Sequence, residues 1–184
     1  DNILSQLQPK RYAILRTKSH YDVKSLINQF KTHVWGIMGT HSEAIFHAVD
    51  YLLEKLNSAQ RHFLHELDIT PEQAFLDHNF ALPNLRRDIG ILGLLHKRVL
   101  GISYPIFFEL LPFHADVFGS LRTGDLNKQL YGHILEVHFQ HALHFRSIFA
   151  MVYVYNRLPQ EVVDCTSVSM FQRSLTLKAR KLCR

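Results

Sequence analysis

The sequence predicts an all-α protein. Apolar residues recur at three- and four-residue spacing along most of the chain, the period of a helix with one buried face. Helix-start signatures stand directly before several of those runs. No two strand-like runs are joined by a hairpin turn signal. The expected architecture is a single irregular helical domain over residues 22–184, with about six to eight helices around a buried central helix at 84–100. Residues 1–21 read as an extended arm, and loop 113–129 is the place for a sub-boundary.

Residues 1–21 show no clear period and contain Pro9, hence the arm. Val23, Leu26, Ile27, Phe30 and Val34 then give a first helix from about 22 to 36, ended by the Gly36–Gly39 region. Thr40-His41-Ser42-Glu43 is a capping box, and Ile45, Val49, Leu52, Leu53 and Leu56 form the stripe behind it. Helical period persists through Phe63, Leu64 and Leu67, with a break expected at Asn57-Ser58. Thr70-Pro71-Glu72-Gln73 is a second capping box with proline at the first helical position, opening a short helix to about 78. Pro83 and Asn84 begin the central helix, and Gly101 stops it. Ser103–Leu111 predicts a short piece with Pro105 in its first turn, and 113–129 a polar loop. Helical pattern resumes near Leu130 and runs to about Arg157, where Leu158-Pro159 ends it. Thr166 or Ser167 caps a last helix carrying Val168, Phe171, Leu175 and Leu182.

A chain of 184 residues can bury one ordinary core. With 47% hydrophobic and 20% charged residues it lies far from the disordered regime. A net charge of +5 admits an anionic partner without requiring one. Thirteen histidines mean that acidification below roughly pH 6.5 adds positive charge. Cys165 and Cys183 make neither a disulfide framework nor a four-ligand zinc site; two thiols in a reducing compartment is the favoured reading, with a single bridge left open. The longest membrane-like run, Val99 to Phe113, is interrupted by Gly101, Pro105, Glu109 and Pro112, so no transmembrane helix is expected. The chain begins at Asp1, as a trimmed fragment or a processed precursor would; an intracellular, organellar subunit is one setting and the nucleus the other.

The central helix carries Ile89, Ile91, Leu92, Leu94, Leu95 and Val99 around most of its wheel, so it must be covered on several sides. Gly90 and Gly93 lower its propensity by about 1 kcal/mol each, which fits another backbone packed close there. Arg86-Arg87 and Lys97-Arg98 bracket it; solvated helix ends are preferred over a phosphate clamp. A second basic group, Arg173, Lys178, Arg180, Lys181 and Arg184, closes the last helix; a solvated terminal face is preferred there too, and of the basic clusters it is the best candidate for an anion or nucleic-acid contact. The apolar segment 102–118 is too apolar for a free surface. Ile106, Phe107, Phe108, Leu110, Leu111, Phe113 and Phe118 are therefore the candidate partner interface. His133, Glu136, His138, His141 and His144 crowd one segment, but no His-Glu-x-x-His order occurs and surface histidines explain them. His62, His65 and Glu66 read the same way. Neither a nucleophile signature nor a phosphate-cradling glycine loop is found, so no enzyme and no cofactor are expected.

Taken in order, FKTHVWGIMGTHSEAIFHA, LEKLNSAQRHFLHELDIT, LPNLRRDIGILGLLHKRVLG and IFAMVYVYNRLPQEVVD resemble the helical region downstream of the polymerase in non-LTR (LINE-type) retrotransposon proteins. The resemblance spans about residues 28–175. Its landmarks are Leu56 with Gln60-Arg61, then Arg86-Arg87-Asp88. The paired aspartates by which such a polymerase holds two metal ions do not occur in this chain. The resemblance therefore implies a piece of a retroelement protein without its catalytic domains. Where that family is rich in arginine, this chain reads AQRHFLHEL and VHFQHALHFRS, and neutral histidine is a poorer phosphate ligand. The expected function is a non-catalytic helical scaffold or interaction subunit that binds other proteins of a larger complex. The alternative is an RNA- or DNA-binding module. Contact with a membrane, if any, would be peripheral.

Overall fold

Helix α1 (Asn2–Arg16) replaces the expected arm. The structure, a computed structural model, describes residues 2–40, 50–113, 130 and 147–183. Leu4, Leu7, Arg11, Ile14 and Leu15 do follow a helical period, but an arginine in the middle of the stripe hides it. Pro9 lies inside the helix, where it forgoes a backbone hydrogen bond at a cost of about 3 kcal/mol. Burial of Leu7 and Ile14 offsets that cost.

Asp22 caps α2 (Val23–Phe30) by accepting from the Ser25 amide. The helix does not end at Gly36. A π turn at Lys31–Trp35 leads directly into α3 (Gly36–Thr40). Helix α4 (Asp50–Glu66) runs through Asn57-Ser58 without the expected break. Both side chains donate to Glu54 one turn back, so neither competes for the helix backbone. The buried Asn57 also accepts from the Asn84 amide, which satisfies an orphan N–H in the first turn of the later helix α6 (Pro83–Val99).

The second capping box forms as expected: Thr70 and Gln73 exchange side-chain-to-backbone hydrogen bonds of 3.1 Å at the start of α5 (Pro71–His78). Asn79, in the left-handed conformation, ends that helix. The first capping box extends to Glu43, outside the described residues. Gly101 terminates α6 as predicted, at a φ of 75°. The Gly101 and Ile102 amides donate to Arg98 and Lys97 in a Schellman arrangement. Helix α7 (Ile106–Leu110) is shorter than expected.

Ser147 caps α8 (Ile148–Tyr155), inside the stretch from Leu130 to Arg157 where helix is expected; residues 131–146 of that stretch lie outside the described residues. Leu130 is instead clasped by Asn156, which accepts from its amide at 3.1 Å and donates to its carbonyl at 2.8 Å. It also forms an isolated antiparallel bridge with Phe113. After Pro159 a short helix α9 (Gln160–Val163) precedes α10 (Val168–Leu182), where Ser167 accepts from the Met170 amide. Among the described residues there is no strand, and the all-α class holds.

The chain divides into two compact units, Asp1–Arg87 with Cys183–Arg184, and Asp88–Leu182. In the first, α1 to α5 enclose Leu26, Ile27, Phe30, Val34, Leu56, Phe63, Leu64 and Phe80. Phe30 meets Phe63 at 4.4 Å and stands edge-on to Phe80 at 5.3 Å. Two lysines tie helix ends together: Lys18 donates to the Glu66 carbonyl and Lys31 to that of His78. The second unit is built on Leu92, Leu95, Leu111, Leu130, Val152, Tyr155, Val162 and Phe171.

Candidate functional site

Each end of the central helix presents one arginine to aromatic rings. At the N-terminal end the Arg86 guanidinium lies 3.5 Å from the centre of Trp35, which is itself stacked on Phe80 at 4.8 Å. The indole N–H donates to Gln60 Oε1 at 3.1 Å, and Gln60 Nε2 donates to the Ala81 carbonyl at 3.0 Å. Gln60 is thus a buried strut. Lys31 Nζ stands 5.7 Å from Trp35 and 6.0 Å from Phe80. Burial pushes the Arg86 guanidinium down to about 10. Burial, and then the charge of Arg86, also hold the Lys31 ammonium below its usual value.

At the other end Arg98 is buried, its guanidinium 4.4 Å from the Phe108 ring centre and 4.3 Å from that of Phe113. Lys97 is exposed, and Arg87 is half-buried. The bracketing pairs therefore differ within themselves: Arg86 and Arg98 are internal packing elements, and only Lys97 behaves as the expected solvated end.

His96, fully buried in a helix expected to be apolar there, was not singled out from the sequence. Its Nε2 faces the Cys165 carbonyl at 2.8 Å and its Nδ1 the Tyr155 hydroxyl at 2.9 Å. A carbonyl only accepts, so Nε2 carries a proton; in the neutral ring Nδ1 then accepts from Tyr155. The ring stacks on Phe171 at 4.1 Å with 7° between planes. Burial holds the Tyr155 phenol above its usual value. With both nitrogens engaged and no exposed surface, the imidazole works as a polar latch joining α6, α8 and α10. Gly93 also differs from expectation. A Cβ there would lie 2.4 Å from Nε2 of Gln172, so the close neighbour is a side chain, not a backbone.

The predicted interface separates into two sets. Ile106, Phe108 and Leu110 are exposed, whereas Leu111 is fully buried and Phe107 and Phe113 pack onto the core of their unit. Phe118 lies outside the described residues. Two further residues join the exposed set, Ile102 at 64% and Tyr104 at 77% of full exposure. They sit beyond the helix stop at Gly101, where no period marks them. The outcome is an apolar ribbon over 102–110, in which Pro105 and Glu109 are exposed as well.

In α10, Lys178 is ion-paired with Glu161, which holds the Glu161 carboxyl below the usual range. Arg173 and Lys181 are exposed, Arg180 is half-buried, and Arg184 lies outside the described residues. The 133–144 histidine cluster does too. Among the described residues no group of histidine, cysteine or acidic side chains is placed to hold a metal ion. His62 and His65 are exposed on α4. Cys165 and Cys183 are free thiols, so they form no bridge. No helix of the described residues is long and apolar enough to cross a membrane. No protein-family model, curated protein or solved structure matches the chain.

Proposed function

We propose that this chain is a non-catalytic helical interaction subunit of a larger assembly, descended from the post-polymerase region of a retroelement protein. The observation that carries the reading is the ribbon 102–110. Ile102, Tyr104, Ile106, Phe108 and Leu110, five large apolar side chains within nine residues, are all exposed on one unit, and exposed apolar surface concentrated in this way marks partner sites. Arg98 supports the ribbon from beneath through Phe108, which limits the ordering needed on docking. The ancestry rests on the four ordered segments, and the non-catalytic reading on the absence of an Asp-Asp pair.

Against the nucleic-acid alternative stands the use of the candidate cations. Arg86 and Arg98 are spent on aromatic rings and Lys178 on Glu161. Nucleic-acid affinity comes largely from cations that neutralise phosphates, so each one engaged elsewhere lowers it. The test is native purification of the tagged full chain with identification of what travels with it, alongside an Ile106→Glu variant. The expected result is a stoichiometric partner retained by the parent chain and lost from the variant at unchanged helix content. A chain that is always alone and monomeric, or a partner indifferent to Ile106→Glu, overturns the proposal. Steeply salt-dependent binding of mixed RNA in an anisotropy titration would establish the alternative instead.

A further inference from the structure

In the first unit, α1, α2 with its π turn, and α4 line a half-open cavity of about 670 Å³, within the range of pockets that hold small organic ligands. Leu4, Leu7, Phe30 and Val34 give it apolar walls. Arg11 lines it as well, although this residue is only 8% exposed. Its guanidinium makes one long hydrogen bond, from Nη1 to the Ala59 carbonyl at 3.5 Å, and lies 4.9 Å from the Tyr12 ring centre. The buried Nε has no hydrogen-bond partner. The nearby carboxylate, Glu54, already accepts from Asn57, Ser58 and Arg61. A buried cation without a counter-charge is costly, and arginine is rarely so buried unless paired. At the rim, Lys55 and His62 add further positive or titratable groups.

We propose that this cavity binds an amphipathic organic anion, with its carboxylate on Arg11 and its aliphatic body against the leucine, phenylalanine and valine walls. The carboxylate supplies the missing acceptor for Nε, together with the adjacent Nη2, in the forked geometry that guanidinium favours. The site is separate from the ribbon at 102–110 and does not depend on the interaction role.

Calorimetric titration of the full chain with decanoate, and in parallel with decanol, tests it. Decanoate is expected to bind saturably at one site, and decanol at least about tenfold more weakly, since the alcohol cannot pair with the guanidinium. Arg11→Met should bring decanoate down to the affinity of decanol. Ser58→Trp, a substitution at an exposed lining position, should occlude the cavity and abolish binding of both. Should Arg11→Met fail to fold, the comparison of decanoate with decanol on the parent chain and the Ser58→Trp result decide. Equal affinity for the two ligands, no binding of either, or full decanoate affinity in Ser58→Trp overturns the proposal.

Discussion

At the scale of single residues, polar groups placed inside apolar surroundings hold much of the specificity of this fold. The Tyr155 hydroxyl is a partner of the buried His96, so Tyr155→Phe leaves a ring nitrogen unsatisfied at little change of volume. The expected loss is about 1–3 kcal/mol, read as a lower urea midpoint at unchanged slope. A midpoint unchanged within error would mean that the hydroxyl contributes nothing to the latch. These residues are also where reading the sequence falls short. A lone histidine or arginine between leucines carries the same letters whether it faces water or a buried carbonyl. Arg86 was visible as a cation, but its stacking on Trp35 depends on residues 51 positions apart in the chain being brought together, which no local pattern encodes. The apolar positions Leu26, Phe30, Leu56, Leu95 and Phe171 were legible because burial at helical spacing is a local property.

At the scale of elements, the ends of helices carry the clearest local chemistry. Thr70→Ala removes one half of the capping box of α5 and should cost about 1 kcal/mol in thermal or urea unfolding. Two glycines of α6 and its stop should respond differently to alanine. Gly101 holds a φ of 75° that side chains resist, so Gly101→Ala is expected to destabilise by about 1–2 kcal/mol although nothing crowds the position. Gly93 is helical, and the atoms nearest a Cβ there belong to the flexible side chain of Gln172. Gly93→Ala should therefore be neutral or stabilising by up to about 1 kcal/mol once that side chain swings away. Measured unfolding of the pair in the reverse order would show that the neighbours of Gly93 cannot give. The stops at Gly101 and Pro159 and the Thr70 box were readable because each needs only two or three adjacent residues. Helix α1 was not, since its stripe includes Arg11 and its middle includes Pro9. Tertiary burial overrode both signals.

At the scale of the whole molecule, the response to acid follows from three exposed carboxyls held below their ordinary values. For Asp22 the leading cause is its hydrogen bond with Ser25, for Glu54 that with Asn57, and for Glu161 that with Lys178. A carboxyl lowered on folding contributes stability above its unfolded value, and that contribution disappears as pH falls through the folded one. The share of the urea midpoint that these carboxyls supply should thus hold from neutrality to about pH 5 and decline below about 4.5. A chain carrying Asp22→Asn, Glu54→Gln and Glu161→Gln should show a flatter decline over the same interval. The global fold class was legible, because an all-helical period is repeated from α2 to α10; the division into two units was not, because no glycine- or proline-rich linker marks it at Arg87-Asp88. The π turn at Lys31–Trp35 has a consequence for how tightly chain length is specified. Such a turn accommodates one residue more than an α-helix would need over the same stretch. Excising a single residue there would let α2 and α3 merge into an ordinary helix, with the side chains of the two flanks still in register about the axis. Chain length is therefore loosely set at this point, and a variant lacking the exposed Thr32 should stay helical and keep its indole against Gln60 and Phe80.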